Sequence, residues 1–284
     1  MQHILNVNNK TLDLATPQVM GIVNLTPDSF SDGGKFNSID NALAQVEQML
    51  SDGVSIIDLG GESTRPGAPD VAESEELNRV IPVLKAIKKR FAVMVSVDTS
   101  KAGVMAEALN YDVDIINDVC ALKNEGCLEV VSQTDIPVCL MHMQGSPRTM
   151  QKQPTYHDII EDIKTFFHQR INACQQVGID KQRLILDVGF GFGKTLTQNY
   201  HLLANLSQFH EFKLPLLSGT SRKSMIGNLL NCDVEQRLAG SLTTAIIAAQ
   251  QGAQILRVHD VKETVDALKV LQATTDNKLL SKEN

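Results

Sequence analysis

Eight short apolar runs, rich in β-branched residues, alternate with eight amphipathic stretches along the 284-residue chain. Runs that are apolar on both faces and separated by helices are typical of parallel strands covered by helices. Eight such units predict a (β/α)8 TIM barrel of the α/β class, with a doubly wound open sheet as the alternative. We predict strands at 19–25, 55–60, 93–98, 114–119, 137–142, 183–188, 215–219 and 255–259. Helices are predicted near 40–51, 73–90, 101–110, 124–134, 156–177, 197–206, 233–250 and 260–272.

No Pro-, Gly- or Ser-rich linker divides the chain, so we predict one domain over residues 1–284, with a polar tail that frays after about 275. Hydrophobic residues make up 43% and charged residues 21%, which excludes a mostly disordered chain. The net charge of −7 and the 4% aromatic content argue against nucleic acid or an anionic membrane as a partner. No apolar run approaches the roughly 20 residues of a membrane-spanning helix.

The five cysteines are odd in number, and no two of them form a CxxC pair. A disulfide framework would use an even number of cysteines at regular spacings. We therefore expect reduced thiols in a cytoplasmic protein.

Polar side chains cluster at the predicted C-terminal end of every strand. One polar residue at one strand end is ordinary helix capping, but clusters at all eight ends outline a ring-shaped site. In a barrel, these ends and the loops after them form the face that carries chemistry. The clusters include Asn24 and Asp28, Glu62 to Arg65, Asp98 to Lys101, Asn117 and Asp118, His142 and Gln144, Asp187, Ser221 to Ser224, and Arg257 and His259.

Asp98, Asn117 and Asp187 each close an apolar strand. Two carboxylates and an amide converging in a barrel mouth can bind the edge of a guanidine-like heterocycle, such as an amino-pyrimidinone. The carboxylates would repel each other unless a ligand with several N–H groups lay between them. The alternative is that each residue only caps the helix that follows.

Two basic clusters follow the last two strands: 221–224 with the sequence SRKS, and 257–259 with the sequence RVH. Barrels often bind phosphate in these two loops, and hydroxyl, Lys, Arg and His groups suit an anion. A solvated basic turn is the alternative.

The segment GFGFGKT at 189–195 fits neither of two familiar nucleotide motifs. A Walker A loop needs a glycine at the position of Val188, and the dinucleotide fingerprint lacks its third glycine. We interpret the segment as a loop whose backbone lets a flat ligand approach, with Phe192 as a lid. A plain tight turn is the alternative.

His142 and His259 do not stand at metal-ligand spacing. Mg²⁺ is compatible with Asn24, provided that phosphate and water oxygens supply most of its ligands. Neither Ser221 nor any cysteine has an evident His–Asp relay in the sequence, so covalent catalysis is not expected.

Several motifs together resemble the dihydropteroate synthases, bacterial type. MGIVNLTPDSFSDGG at 20–34 resembles the first signature of that family, and DLGGESTRPGA at 58–68 resembles the second. The motifs SVDTSK (96–101), IND (116–118), MHMQG (141–145), GFGFGK (189–194), SRKS (221–224) and RVH (257–259) follow in the family's order. The resemblance covers about residues 15–272.

The resemblance implies a transferase that joins 6-hydroxymethyl-7,8-dihydropterin diphosphate to p-aminobenzoate, with Mg²⁺ as cofactor and a homodimer as the assembly. It implies a role for several residues of this chain. Those for the pterin are Asp98, Asn117, Met141, Asp187 and Lys223. Those for the diphosphate are Asn24, Thr64, Arg65, Arg257 and His259, with Asn24 also on the metal. Those for p-aminobenzoate are Phe30, Pro66, Phe192 and Ser224. The implied catalytic residues are Asp98, Lys223, Arg257 and His259.

The sequence departs from the family pattern at two places, and two alternative functions are not yet excluded. Val188 stands where the family usually has proline, and Asp118 is followed by an unusual Val-Cys-Ala. A pterin-dependent methyltransferase would share the Asp and Asn pterin residues but would not need the basic anion site. A pterin-binding module without catalysis is the second rival.

Overall fold

Eight parallel strands close into a barrel in the computed structural model, which describes residues 4–26, 35–63, 68, 70–145, 150 and 154–275. Each strand pairs with the next along the chain, and the last pairs with the first. The predicted barrel is confirmed, and every predicted strand bound lies within one residue of the observed one. The barrel strands are β3 (Gln18–Asn24), β4 (Ile56–Gly60), β5 (Met94–Asp98), β6 (Ile115–Asp118), β7 (Val138–Met141), β8 (Leu184–Asp187), β9 (Leu216–Ser218) and β10 (Ile255–Val258).

Helices follow the barrel strands and cover their outer faces. The eight predicted helices are confirmed, and the described residues contain one further α-helix, α7, after β9, together with three short 3-10 helices. The helices are α1 (Lys35–Ser51), α2 (Glu73–Arg90), α3 (Ala102–Leu109), α4 (Cys127–Ser132), α5 (Ile159–Gln176), α6 (Leu196–Ala204), α7 (Ser224–Leu230), α8 (Leu238–Gln250) and α9 (Val261–Thr275). Residues after 275 lie outside the described part, so the fraying of the tail stays a prediction.

A hairpin that we did not predict precedes the barrel. Its strands, β1 (Ile4–Val7) and β2 (Lys10–Asp13), are antiparallel, and Val7 pairs with Lys10. Asn8 and Asn9 form the two-residue turn with φ of 48° and 60°, as a type I′ turn requires. The hairpin reaches the N-terminal end of the barrel, where Lys10 Nζ donates to the carbonyl oxygen of Val93 at 2.7 Å.

The barrel strands are buried on both faces, which explains why most of their residues are apolar. All five residues of β4 are buried, and Val80, Leu84 and Ile87 of α2 are fully buried. Acidic residues in the first turn of α2 and basic residues in its last turn complement the helix dipole. Among the described residues, we find no helix with the length and hydropathy that crossing a membrane requires. All five cysteines are free thiols.

Candidate active site

Strand register brings three predicted site residues together at the C-terminal end of the barrel. Asn24 of β3 pairs with Gly60 of β4, Gly60 pairs with Asp98 of β5, and Asp98 pairs with Asn117 of β6. Side chains that share a register position on neighbouring strands lie on the same side of the sheet. The carboxylate and the two amides therefore line one side of the barrel mouth.

Arg257 crosses this mouth from β10 and binds two carboxylates. Its Nε donates to Asp58 Oδ2 at 2.6 Å, and its Nη2 donates to Asp98 Oδ2 at 2.7 Å. Asn117 Nδ2 donates to the same oxygen of Asp58 at 3.3 Å. The sequence predicts that Arg257 binds diphosphate; in the structure it holds Asp58 and Asp98 together, and its diphosphate role stays a prediction.

Asp58 is a site residue that the sequence analysis missed. It is fully buried, and within the described part of the chain its Oδ1 has no hydrogen-bond partner. The signal was available, because a carboxylate stands in the middle of an otherwise apolar strand, two residues before Gly60 and so on the same face. An unpaired buried carboxylate oxygen is costly, so this position favours a ligand or water that donates a hydrogen.

A loop after β8 connects Asp187 to Lys223 on the opposite side of the mouth. Asp187 Oδ1 accepts the backbone N–H of Gly189 at 2.7 Å. Lys223, just before α7, donates from Nζ to the carbonyl oxygen of Phe190. The same Nζ lies 4.6 Å from the ring centre of Phe192, which is cation–π distance.

Burial shifts the pKa values of the charged groups in the mouth. It raises the pKa of Asp98 to about 7, against the opposing charge of Arg257 and with the help of Asp58. It raises the pKa of Asp187 and lowers that of Lys223 to about 8, although each of these charges partly stabilises the other. Burial disfavours the charge of Arg257, but Asp58 and Asp98 outweigh it and raise its pKa. Such shifts are typical of sites that bind or transform charged ligands.

Residues of the two predicted anion-binding loops, 221–224 and 257–259, have different partners in the structure. Ser221 Oγ lies 3.0 Å from His259 Nδ1 and accepts the His259 backbone N–H at 3.1 Å, so the two loops are joined there. Arg222 turns away and pairs with Asp260, with 3.0 Å between Nε and Oδ2. The basic character at the mouth therefore comes from Lys223 and Arg257, and Asp260 neutralises Arg222.

Three of the remaining predicted site residues lie in the described part of the chain. Met141 and Phe192 are buried and pack against each other in a small cluster beside the main core. Ser224 begins α7 and is exposed. Phe30, Thr64, Arg65 and Pro66 lie outside the described residues, so their roles stay predictions.

The chain matches the family model for pterin binding enzymes over residues 20–259. It is 56% identical to the dihydropteroate synthase of Escherichia coli K12, over 96% of each chain. It is 55% identical to that of Haemophilus influenzae, over 96% of this chain and 99% of the relative. The chain belongs to the dihydropteroate synthase family.

Members of this family are alkyl-group transferases of folate biosynthesis. Two solved dihydropteroate synthases superpose on this chain over almost their whole length. A Yersinia pestis structure with a sulfonamide drug complex has a TM-score of 0.92 at 56% identity and covers 96% of this chain and 99% of its own. A Xanthomonas albilineans structure with 4-aminobenzoic acid has a TM-score of 0.91 at 46% identity, with coverage of 97% and 99%.

The two departures from the dihydropteroate synthase pattern lie in well-bonded loops. Val188 is 1% exposed, and its neighbour Gly189 has a φ of 67° and packs so closely against His142 that a Cβ would lie 1.9 Å from the His142 carbonyl oxygen. Asp118 accepts the backbone N–H groups of Cys120 and Leu122, both at 2.7 Å. Neither departure removes a polar contact of the mouth.

Proposed function

We propose that this chain condenses 6-hydroxymethyl-7,8-dihydropterin diphosphate with p-aminobenzoate to give 7,8-dihydropteroate and pyrophosphate. The observation that carries the proposal is the barrel mouth, where Asp98, Asn117 and Asp187 face inward beside the cations of Arg257 and Lys223. Family membership supports the same reaction.

The acceptors of the mouth suit the pterin ring. Asp98, Asn117 and Asp187 offer two carboxylates and an amide to a ring edge that carries several N–H groups. Asp58 Oδ1, buried and without a partner among the described residues, is a further acceptor one layer deeper in the barrel, in register with Ser96. Lys223 would donate to a ring oxygen or nitrogen, and Met141 would pack against the ring face.

The diphosphate would lie at the wider part of the mouth, near the joined loops of Ser221 and His259. His259 and Arg257 would donate to its oxygens, together with Thr64 and Arg65. Arg257 would then exchange at least part of its contact with Asp98 for the diphosphate, leaving Asp98 to accept from the pterin.

Mg²⁺ is part of the proposal through Asn24. The described residues contain no group of three or more His, Cys, Asp or Glu side chains placed to hold a metal, so a cage made of protein alone is not expected from this part of the chain. Asn24 supplies one amide oxygen, a donor that suits a hard cation, and diphosphate and water oxygens would supply the others. The cation would neutralise charge on the departing pyrophosphate.

The reaction breaks the bond between the pterin methylene carbon and the diphosphate oxygen, and the electron pair leaves with pyrophosphate. An electron-rich dihydropterin can stabilise the cation left behind, so an SN1-like path fits. Asp98 near a ring N–H would stabilise the developing positive charge, and Arg257 and His259 would stabilise the leaving group. The amine nitrogen of p-aminobenzoate then forms the new C–N bond and loses a proton, beside Phe192, Ser224, Phe30 and Pro66.

A product assay separates this function from its two rivals. The purified chain is incubated with the dihydropterin diphosphate, with and without p-aminobenzoate, and pyrophosphate and dihydropteroate are measured together. We expect equal amounts of both products, formed only when p-aminobenzoate is present. Methyl transfer from a methylated folate in place of these products would favour the methyltransferase, and pterin binding without turnover would favour the binding module.

A cytoplasmic homodimer completes the proposal. Large apolar side chains near the end of α7 and the start of α8 are exposed, which suits a contact with a second copy. They are Leu229, Leu230, Val234 and Leu238. Sedimentation velocity of the purified chain tests the assembly, and the free thiols are consistent with a reducing compartment.

A further inference from the structure

Lys194 is 3% exposed, although a lysine is almost never fully buried unless its ammonium group is paired. Among the described residues it forms no ion pair with a carboxylate, and burial lowers its pKa well below the usual value. The GFGFGK motif predicts a loop that a flat ligand can approach, and this prediction gives the lysine no role. Its position at the end of the glycine-rich loop therefore needs an explanation.

The amine of Lys194 is surrounded by acceptors from two loops. Nζ donates to the carbonyl oxygens of Gly189 at 2.8 Å and Phe192 at 3.0 Å, both in the loop after β8. It also lies 3.3 Å from the carbonyl oxygen and 3.0 Å from Nδ1 of His142, in the loop after β7. A lysine has up to three N–H donors, so its hydrogen-bonding capacity is fully used in joining the two loops.

The backbone of the 189–193 loop is shaped so that its carbonyls can reach this lysine. Gly189, Gly191 and Gly193 all have positive φ, at 67°, 81° and 63°, a conformation that glycine adopts without steric cost. The Gly191 N–H donates to Asn199 Oδ1 at 2.7 Å, and Tyr156 donates to the Gly193 carbonyl oxygen at 2.7 Å. The loop is therefore bonded from several sides, with Lys194 beneath it.

The other side of the same loop contacts Lys223, which the proposed function places at the pterin. Phe190 presents its carbonyl oxygen to Lys223, and Phe192 places its ring 4.6 Å from Lys223 Nζ. Phe192 also packs against Met141 and Met143 in the small cluster beside the main core. One loop thus links the Lys194 amine on its buried side to the Phe192 ring and the Lys223 amine on its other side.

We propose that Lys194 is a positioning residue, which holds the 189–193 loop so that Phe192 and Lys223 form the boundary between the pterin and p-aminobenzoate parts of the site. The inference rests on the proposed function, because it takes Phe192 as a wall of the p-aminobenzoate pocket. Lys194 itself touches no substrate in this account.

The test compares Lys194→Met with the wild type by steady-state kinetics in both substrates. Removing the donors leaves the carbonyl oxygens of His142 and Phe192 without a hydrogen-bond partner among the described residues, which is costly for buried groups. The Gly189 carbonyl oxygen loses the lysine but still accepts the Phe192 N–H at 3.1 Å. We expect the KM for p-aminobenzoate to rise about tenfold or more, with a smaller change in kcat. Lys88→Met is the matched control: it removes a half-buried lysine that pairs with Asp114 at the other end of the barrel, so it lowers stability without changing either KM.

A double-mutant cycle with Phe192→Leu tests the route of the effect. If Lys194 acts through Phe192, the double variant has about the same KM for p-aminobenzoate as Phe192→Leu alone, because coupled effects do not multiply. Lys194→Gln, which keeps an N–H donor, is made in parallel and is expected to show a smaller rise in KM. It carries the test if Lys194→Met does not fold.

The outcomes separate this inference from the proposed function. A wild type without p-aminobenzoate-dependent pyrophosphate release overturns the proposed function, and the inference with it. An active wild type with unchanged KM values in folded Lys194→Met or Lys194→Gln overturns the inference alone, and Lys194 is then a stabilising core residue. Independent, multiplying effects of Lys194 and Phe192 would show that the lysine does not act through that ring.

Discussion

At the scale of single residues, the charges of the mouth depend on one another. Arg257 holds Asp58 and Asp98, and the charge of Asp98 also lies near enough to raise the pKa of Lys223 against its burial. A ligand that binds among these charged side chains must form new contacts in place of the ion pairs that it breaks. This favours a ligand that carries both an N–H-rich edge and an anionic group, as a pterin diphosphate does.

Asp187→Ala tests the pterin contact directly. The variant should fold, since Asp187 lies at a strand end and, among the described residues, its side chain accepts a hydrogen bond from the N–H of Gly189. It should weaken pterin binding by about 1–3 kcal/mol, because a buried donor edge of the ligand loses its acceptor. Calorimetric titration with a pterin measures the change, and wild-type affinity in a folded variant would reduce Asp187 to a loop-capping role.

The pH dependence of kcat/KM for the pterin substrate should follow two groups of the free enzyme. Asp98, with its pKa raised to about 7, accepts from the pterin only when it is ionised, so kcat/KM rises with pH up to about 7. Lys223, with its pKa lowered to about 8, donates as an ammonium only below that pH, so kcat/KM falls above about 8.

Lys223→Arg is the control for this profile, because a guanidinium keeps its charge throughout the range. The alkaline fall should disappear, while the rise at lower pH, which follows Asp98, stays in place. An alkaline fall that persists unchanged in Lys223→Arg would assign that limb to another group.

The sequence pattern drew attention to polar residues at the predicted ends of strands, but not to Asp58 within β4. Asp98, Asn117 and Asp187 stand where an apolar run stops. Asp58 has apolar residues on both sides, so the whole segment was interpreted as an apolar strand. The contact between Arg257 and Asp58 spans 199 residues, so only the closed barrel reveals it. Phe30 and Pro66 stay predictions from resemblance.

At the scale of secondary structure elements, the N-terminal hairpin is bonded to the barrel through Asp114. This carboxylate is fully buried just before β6, and its Oδ2 accepts from Lys10 of β2 at 2.9 Å and Lys88 of α2 at 2.8 Å. The Val95 N–H donates to the same oxygen at 2.8 Å. One residue thus joins the hairpin, a helix and two strands at the end of the barrel opposite the mouth.

Asp114→Ala should lower the free energy of unfolding by roughly 3 kcal/mol, because it leaves two partly buried lysines without their shared anion. Urea unfolding monitored by circular dichroism measures this loss. The KM values at low denaturant should not change, since the site lies at the other end. Glu47→Gln, which removes an exposed ion pair with Arg90, is the control and should leave the urea midpoint in place. If Glu47→Gln lowered the free energy of unfolding by a similar amount, the loss in Asp114→Ala would be due to the change in net charge and not to its buried ion pairs.

Strands that are mostly apolar were predicted well, and strands of mixed polarity were not. The barrel strands stand out because both of their faces are mostly apolar, even where they have only three or four residues, whereas β1 and β2 are partly polar. The Asn8-Asn9 pair was the available hairpin signal. The seven-residue helix α7 begins within the SRKS motif, where the polar residues indicated a binding loop.

At the scale of the whole molecule, the resemblance implies that two segments each carry residues for both substrates. Asn24, the last residue of β3, is implied for the diphosphate and Phe30, after it, for p-aminobenzoate. In the stretch after β4, Arg65 and Pro66 are implied for the same two ligands. Residues 27–34 and 64–67 lie outside the described part of the chain. If the diphosphate binds and orders such a segment, it is expected to favour binding of p-aminobenzoate to the same segment.

We therefore expect p-aminobenzoate to bind the free enzyme negligibly, and to bind well once Mg²⁺, pyrophosphate and a pterin are present. Equilibrium dialysis with labelled p-aminobenzoate measures both states. Mg²⁺ and the pterin without pyrophosphate serve as the control. Equal affinity with and without pyrophosphate would mean that the second pocket is already formed, and an ordered mechanism would then be wrong.

The central claim is that the pterin ring lies in the barrel mouth against Asp98, Asn117 and Asp187. A crystal structure of this chain with a bound pterin tests it most directly. We predict that the amino-pyrimidinone edge donates to the carboxylates of Asp98 and Asp187, with Lys223 donating to the ring and the Phe192 ring beside it. A pterin bound away from these side chains, in a protein that still forms dihydropteroate, would contradict the account.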